Sequence, residues 1–118
     1  MKKTLLLAAL LLSSAAQAET WVCAGLSSEK AQTIYTFIRE EGYFAVTVSV
    51  QGDEDIKVNQ EILAEDDDLV IMGTIRLGEL GGAVLRMINK KTNNFAEDGV
   101  FISDKYTSVR QEGVCTKI

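Results

Sequence analysis

Tyr43-Phe44-Ala45-Val46-Thr47-Val48-Ser49-Val50 is the stretch that decides the fold. Phe44, Val46, Val48 and Val50 fall on one side of an extended chain, and Tyr43, Ala45, Thr47 and Ser49 on the other. Successive side chains of a strand point to opposite faces, so this period of two in β-branched and aromatic residues predicts a half-buried strand.

The pattern continues outward. In Ile56 to Glu65, Ile56, Val58, Ile62 and Ala64 share a face, with Lys57, Asn59, Glu61 and Glu65 opposite. Leu69 to Leu77 opens apolar on both faces and is expected centrally in the sheet. Ala83 to Asn89 follows a Gly-rich turn, and Gly99 to Ser103, Thr107 to Gln111 and Val114 to Ile118 read as shorter strands. Proline is absent, so the turns fall to Gly, Asn and Asp. Gly42, Gln51-Gly52-Asp53, Asp66-Asp67-Asp68, Gly78 with Gly81-Gly82, Thr92-Asn93-Asn94, Asp98-Gly99 and Glu112-Gly113 supply the expected punctuation. Short strands at this spacing predict a mainly β fold, an antiparallel meander closed into a barrel or a small sandwich.

Residues 28–41 admit two readings. As a helix, Ser28 is the N-cap, Ala31, Ile34, Tyr35 and Ile38 form one stripe, and Gly42 is the stop. As a strand, Thr33 to Glu40 is rich in β formers, and Glu41-Gly42 turns it back onto Tyr43 to Val50. The strand is favoured, and the helix would make the fold α+β.

The chain begins with Lys2-Lys3, a short apolar run over Leu5 to Leu12, and Ala16-Gln17-Ala18. A positive start, an apolar core and a small-x-small site are the marks of a secretory leader, so residues 1–18 are expected to be cleaved and 19–118 to form one domain. The apolar run falls short of the ~20 residues that cross a bilayer, and no membrane association is expected once the leader is gone. Thr20-Trp21-Val22 before Cys23 lacks the small residue a lipid-attachment site wants. The expected location is the periplasm of a Gram-negative bacterium.

Cys23 and Cys115 lie near the two ends of that domain, and no C-x-x-C is present. In an oxidising compartment such thiols pair, so a structural disulfide is expected, with the first and last strands as neighbours. Trp21, two residues before Cys23, is expected to pack over the bond.

Charge and composition narrow the chemistry. The full chain carries a net charge of −5; the leader takes Lys2 and Lys3 and no acid, leaving −7. Its basic residues are scattered, which argues against nucleic acid as a partner. Histidine is absent, which excludes Ser-His-Asp and Cys-His mechanisms. Asp53-Glu54-Asp55 and Asp66-Asp67-Asp68 offer carboxylates, but neither fits a calcium loop, and both read as solvated turns. Gly78-Glu79-Leu80-Gly81-Gly82 lacks the Lys-Ser/Thr of a phosphate loop and reads as a hairpin connection. No catalytic, metal-binding or cofactor-binding residue is assigned.

Trp-x-Cys at Trp21 to Cys23, Ile88-Asn89-Lys90-Lys91-Thr92-Asn93-Asn94-Phe95 and Gly113-Val114-Cys115 resemble small exported bacterial β-proteins of unassigned role. Their late segment tends to read Ile-Asp-Lys-x-Thr-Gly-x-Phe; here Asn89 stands for Asp and Asn93 for Gly. The resemblance implies a disulfide-closed β fold and no activity. The chain is also similar to the periplasmic c-type lysozyme inhibitors in being small, exported and disulfide-bearing, but it lacks their Ser-Gly-Ser-Gly loop.

The expected function is a non-catalytic binding or interaction module, an inhibitor or envelope accessory that uses loops on a rigid barrel to meet a protein partner. The alternatives are a small carboxylate- or cation-dependent enzyme, and a barrel holding a small apolar ligand.

Overall fold

The computed structural model describes residues 18–25, 32–77, 81–102 and 105–118. Residues 1–17 of the expected leader and residues 28–31 of the helical alternative lie outside them. Eight antiparallel strands follow one another around a closed barrel in chain order. They are β1 (Thr20–Gly25), β2 (Thr33–Arg39), β3 (Tyr43–Val50), β4 (Ile56–Glu65), β5 (Leu69–Arg76), β6 (Gly81–Asn89), β7 (Asn94–Ile102) and β8 (Tyr106–Lys117). The fold is mainly β, and Thr33–Arg39 is a strand rather than a helix. Its Tyr35 and Phe37 alternate with exposed or half-buried neighbours, and the register Phe37↔Val46 sets its inner face against that of β3.

Gly42 has φ +84°, and Ile62 N–H donates to its carbonyl. The tight β2–β3, β4–β5 and β6–β7 turns gather at one end of the barrel. There, Trp21, Phe37, Phe44, Val70, Ile88 and Phe95 fill the interior. Phe37 meets Phe44 edge-on with ring centres 6.2 Å apart, and Tyr35 meets Phe95 at 4.8 Å. An ion-pair chain covers this filled end. Arg39 reaches Glu19 at 2.9 Å and Glu65 at 2.5 Å, and Lys90 reaches Glu65 at 3.0 Å.

Cys23 and Cys115 are register partners of β1 and β8, and a disulfide joins them. The Cys115 N–H donates to Asn93 O, away from β1, so the bond spans a pair without ladder hydrogen bonds. A disulfide is consistent with an oxidising location. Trp21 is buried in the same core, and its Nε1 donates to Glu19 Oε1 at 2.8 Å.

Several expectations are corrected. Asp98-Gly99 and Glu112-Gly113 are not turns: they lie inside β7 and β8, so the three short pieces at the C-terminal end are parts of two long strands. The glycines mark close approach instead. A Cβ at Gly113 would come 2.2 Å from Ala24 O of β1. Gly81-Gly82 likewise begins β6, where a Cβ on Gly82 would strike the Phe101 ring at 2.5 Å. β5 is not central, because a closed barrel has neither centre nor edge. In β4 a bulge between Ile62 and Ala64 shifts the register, leaving Ala64 exposed, and Ile56 is 61% exposed.

Candidate functional site

The inward positions of β4, β6 and β7 include three polar side chains. Gln60 follows Val58 in phase, Arg86 lies between Val84 and Ile88, and Glu97 follows Phe95. All three are buried. Arg86 Nε donates to Glu97 Oε2 at 2.6 Å, and its Nη1 donates to Gln60 Oε1 at 2.8 Å. The guanidinium also lies over the Tyr35 ring, 5.3 Å from its centre. Tyr35 donates its phenolic proton to Gln111 Oε1 at 2.5 Å. Burial, and secondarily the Glu97 charge, hold the Tyr35 phenol above its ordinary range, so it stays a donor. These five side chains form a polar layer across the middle of the barrel.

On one side of that layer is the filled end. On the other, the barrel wall opens between β4 and β5. Their ladder runs only from Glu61↔Gly73 to Glu65↔Val70. Beyond it, β4 continues to pair with β3 as far as Val48↔Ile56, and β5 with β6 as far as Arg76↔Gly82. Each strand keeps its outer neighbour while the seam between them parts. Ile62 N–H faces β3, so alternation turns the backbone of Lys57 and Asn59 toward the parted seam. The Asn59 carbonyl accepts there from Thr74 Oγ1 at 3.3 Å, a side chain standing where a ladder donor would be.

A cavity of about 520 Å³ occupies the opening. Its apolar lining includes Ile56, Val58, Ile75, Leu77, Val84 and Phe101; Thr74 and Gly82 also line it. Among the described residues its charged lining is Lys57, Arg76 and Arg86, with no acid. Arg86 forms the floor. Its Nη2 has no hydrogen-bond partner among the described residues. The volume falls in the range of small-molecule sites, roughly 300–1,000 Å³. Ile75 and Leu77 at the lip are 79% and 89% exposed.

A second concavity, about 510 Å³, lies on the outer face of β5–β8 between Leu69, Met87, Ala96 and Val114. It is a groove between outward side chains, with Glu112 as its only charged residue and no buried polar group converging on it.

The acidic clusters do not meet. Asp53, Glu54 and Asp55 are exposed in the β3–β4 turn, and Asp66, Asp67 and Asp68 in the β4–β5 turn at the opposite end. Asp66 accepts from the N–H groups of Asp68 and Leu69, both at 2.8 Å, and these bonds lower its pKa. Among the described residues no three acids or cysteines gather as a metal site. Of the Gly78 to Gly82 segment, residues 78–80 lie outside the described residues.

Gln60, Arg86, Glu97 and Gln111 were not singled out from the sequence. The signal was present: each is a polar residue in phase with the buried face of its strand. No family model, curated protein or solved structure matches the chain.

Proposed function

We propose that the protein is a non-catalytic binding module whose site is the cavity at the parted β4–β5 seam, and that its ligand is a small, largely apolar molecule. The observation that carries this is the opening itself: an apolar-walled space floored by the one guanidinium of a buried polar layer. An eight-stranded barrel can be filled by its own side chains or hold one small ligand. Here the turn end takes the first course and the seam end the second. Among the described residues the cavity lining contains no carboxylate, which favours binding over the carboxylate-enzyme alternative. The leader pattern and the disulfide together support placing the module in the periplasm of a Gram-negative bacterium.

Titration with Nile red, a neutral polarity-sensitive dye, tests the site. The reading expects saturable one-to-one binding, abolished by Val84→Trp inside the cavity and retained by Met87→Trp on the outer groove. Loss with Met87→Trp alone, or no saturable binding to the wild type, would overturn it.

A further inference from the structure

Resting on that reading, we infer that the ligand is a single-chain amphiphile with an anionic head, held at the lip by Lys57 and Arg76 with its tail inside the barrel. Among the described residues, the cavity lining carries three cations and no acid in a chain whose net charge is −5. Such a reversal of sign at one opening favours an anion locally.

The three cations are not equivalent. Arg86 is already matched by Glu97 at 2.6 Å and by Gln60 at 2.8 Å. A second carboxylate beside it would face Glu97 in a buried setting, where like charges repel strongly. Lys57 and Arg76 are exposed and take part in no ion pair among the described residues. Asp53, Glu54 and Asp55 belong to the turn at this end but do not line the cavity. The head therefore belongs at the lip. The tail runs inward against Val58, Val84 and Phe101, and the Tyr35–Gln60–Arg86–Glu97 layer stops it. The unused Arg86 Nη2 can hold a water or a terminal acceptor there, and a chain long enough to press on the layer gains nothing.

The test is displacement of Nile red by decanoate, decanol and decyltrimethylammonium, each below its micelle concentration and at low salt. Decanoate should displace the dye at about a fivefold lower concentration than decyltrimethylammonium, against the attraction that the net negative charge exerts on the cation. Lys57→Gln/Arg76→Gln should erase that order while Nile red still binds. Both positions are exposed, so fold and dye binding should survive. Equal displacement by all three probes, or an order that persists in the double variant, would overturn the anionic-head inference and leave the cavity standing. Failure of Nile red itself would instead overturn the reading beneath it.

Discussion

Arg86 and Glu97 are register partners across the β6–β7 ladder, and their side chains meet inside the barrel with Nε and Oε2 2.6 Å apart. Both are nearly removed from solvent. A pair in that setting is costly to desolvate, and removing one partner strands the other. Arg86→Met and Glu97→Leu should each destabilise the barrel by about 3–5 kcal/mol, and the double variant should be more stable than either single one. Urea unfolding of the four proteins reads this directly; additive losses would mean the two charges are not coupled.

Tyr35 is part of the same layer, and its raised pKa has a sign that can be followed. The neutral phenol is the form the folded barrel holds, so its contribution is present below the ordinary pKa of about 10 and is lost as pH rises above it. Tyrosinate absorbance should show a component that appears only as the protein unfolds in alkali. That component should be missing in Tyr35→Phe. A Tyr35 signal that titrates while the circular dichroism is still native would contradict the assignment.

At the filled end, Glu65 accepts from Arg39 and Lys90, and the Arg39 hydrogen bonds chiefly hold its pKa down at about 2. A depressed folded pKa contributes stability that is complete above the unfolded value of about 4.5 and is lost as pH falls toward 2. The group is partly solvated, so the screened contribution is only about 1 kcal/mol. Glu65→Gln should therefore lower stability at pH 7 by about that much, and the gap to wild type should close by pH 2. A gap that is unchanged at pH 2 would show that charge is not its cause.

Much of this barrel was legible in the sequence, and the misses have physical reasons. Tyr43 to Val50 and Ile56 to Glu65 match β3 and β4 because alternation is a local property of the chain. The helical version of 28–41 fails over Thr33–Arg39 because Tyr35 and Phe37 gain more from packing on β3 than from a stripe with no partner. Gly99 and Gly113 read as turns in the sequence because a glycine that bends and a glycine that makes room look alike in one dimension. The site was harder. Gln60, Arg86 and Glu97 each look like an isolated exception to alternation, and only closure of the barrel brings the three strands' polar positions to one level. The parted seam leaves no mark in sequence beyond Ile56 and Ile75, apolar residues that the fold leaves exposed.

The disulfide closes a span of 92 residues. The chain-entropy model gives an upper contribution of about 4–5 kcal/mol for a loop of that size. Cys23→Ala/Cys115→Ala should unfold at a clearly lower temperature while keeping its β dichroism, since the β1–β8 ladder flanks the bond on both sides. An unchanged transition temperature would mean that the strand pairing alone clasps the two ends.

Binding at the parted β4–β5 seam can be read residue by residue from amide chemical shifts during titration with decanoate. The predicted result is a set of saturable shifts at Val58, Thr74, Arg76, Val84 and Phe101, with Met87, Ala96 and Val114 on the outer groove unmoved. Shifts confined to the outer groove, or none at any ratio of ligand to protein, would contradict it.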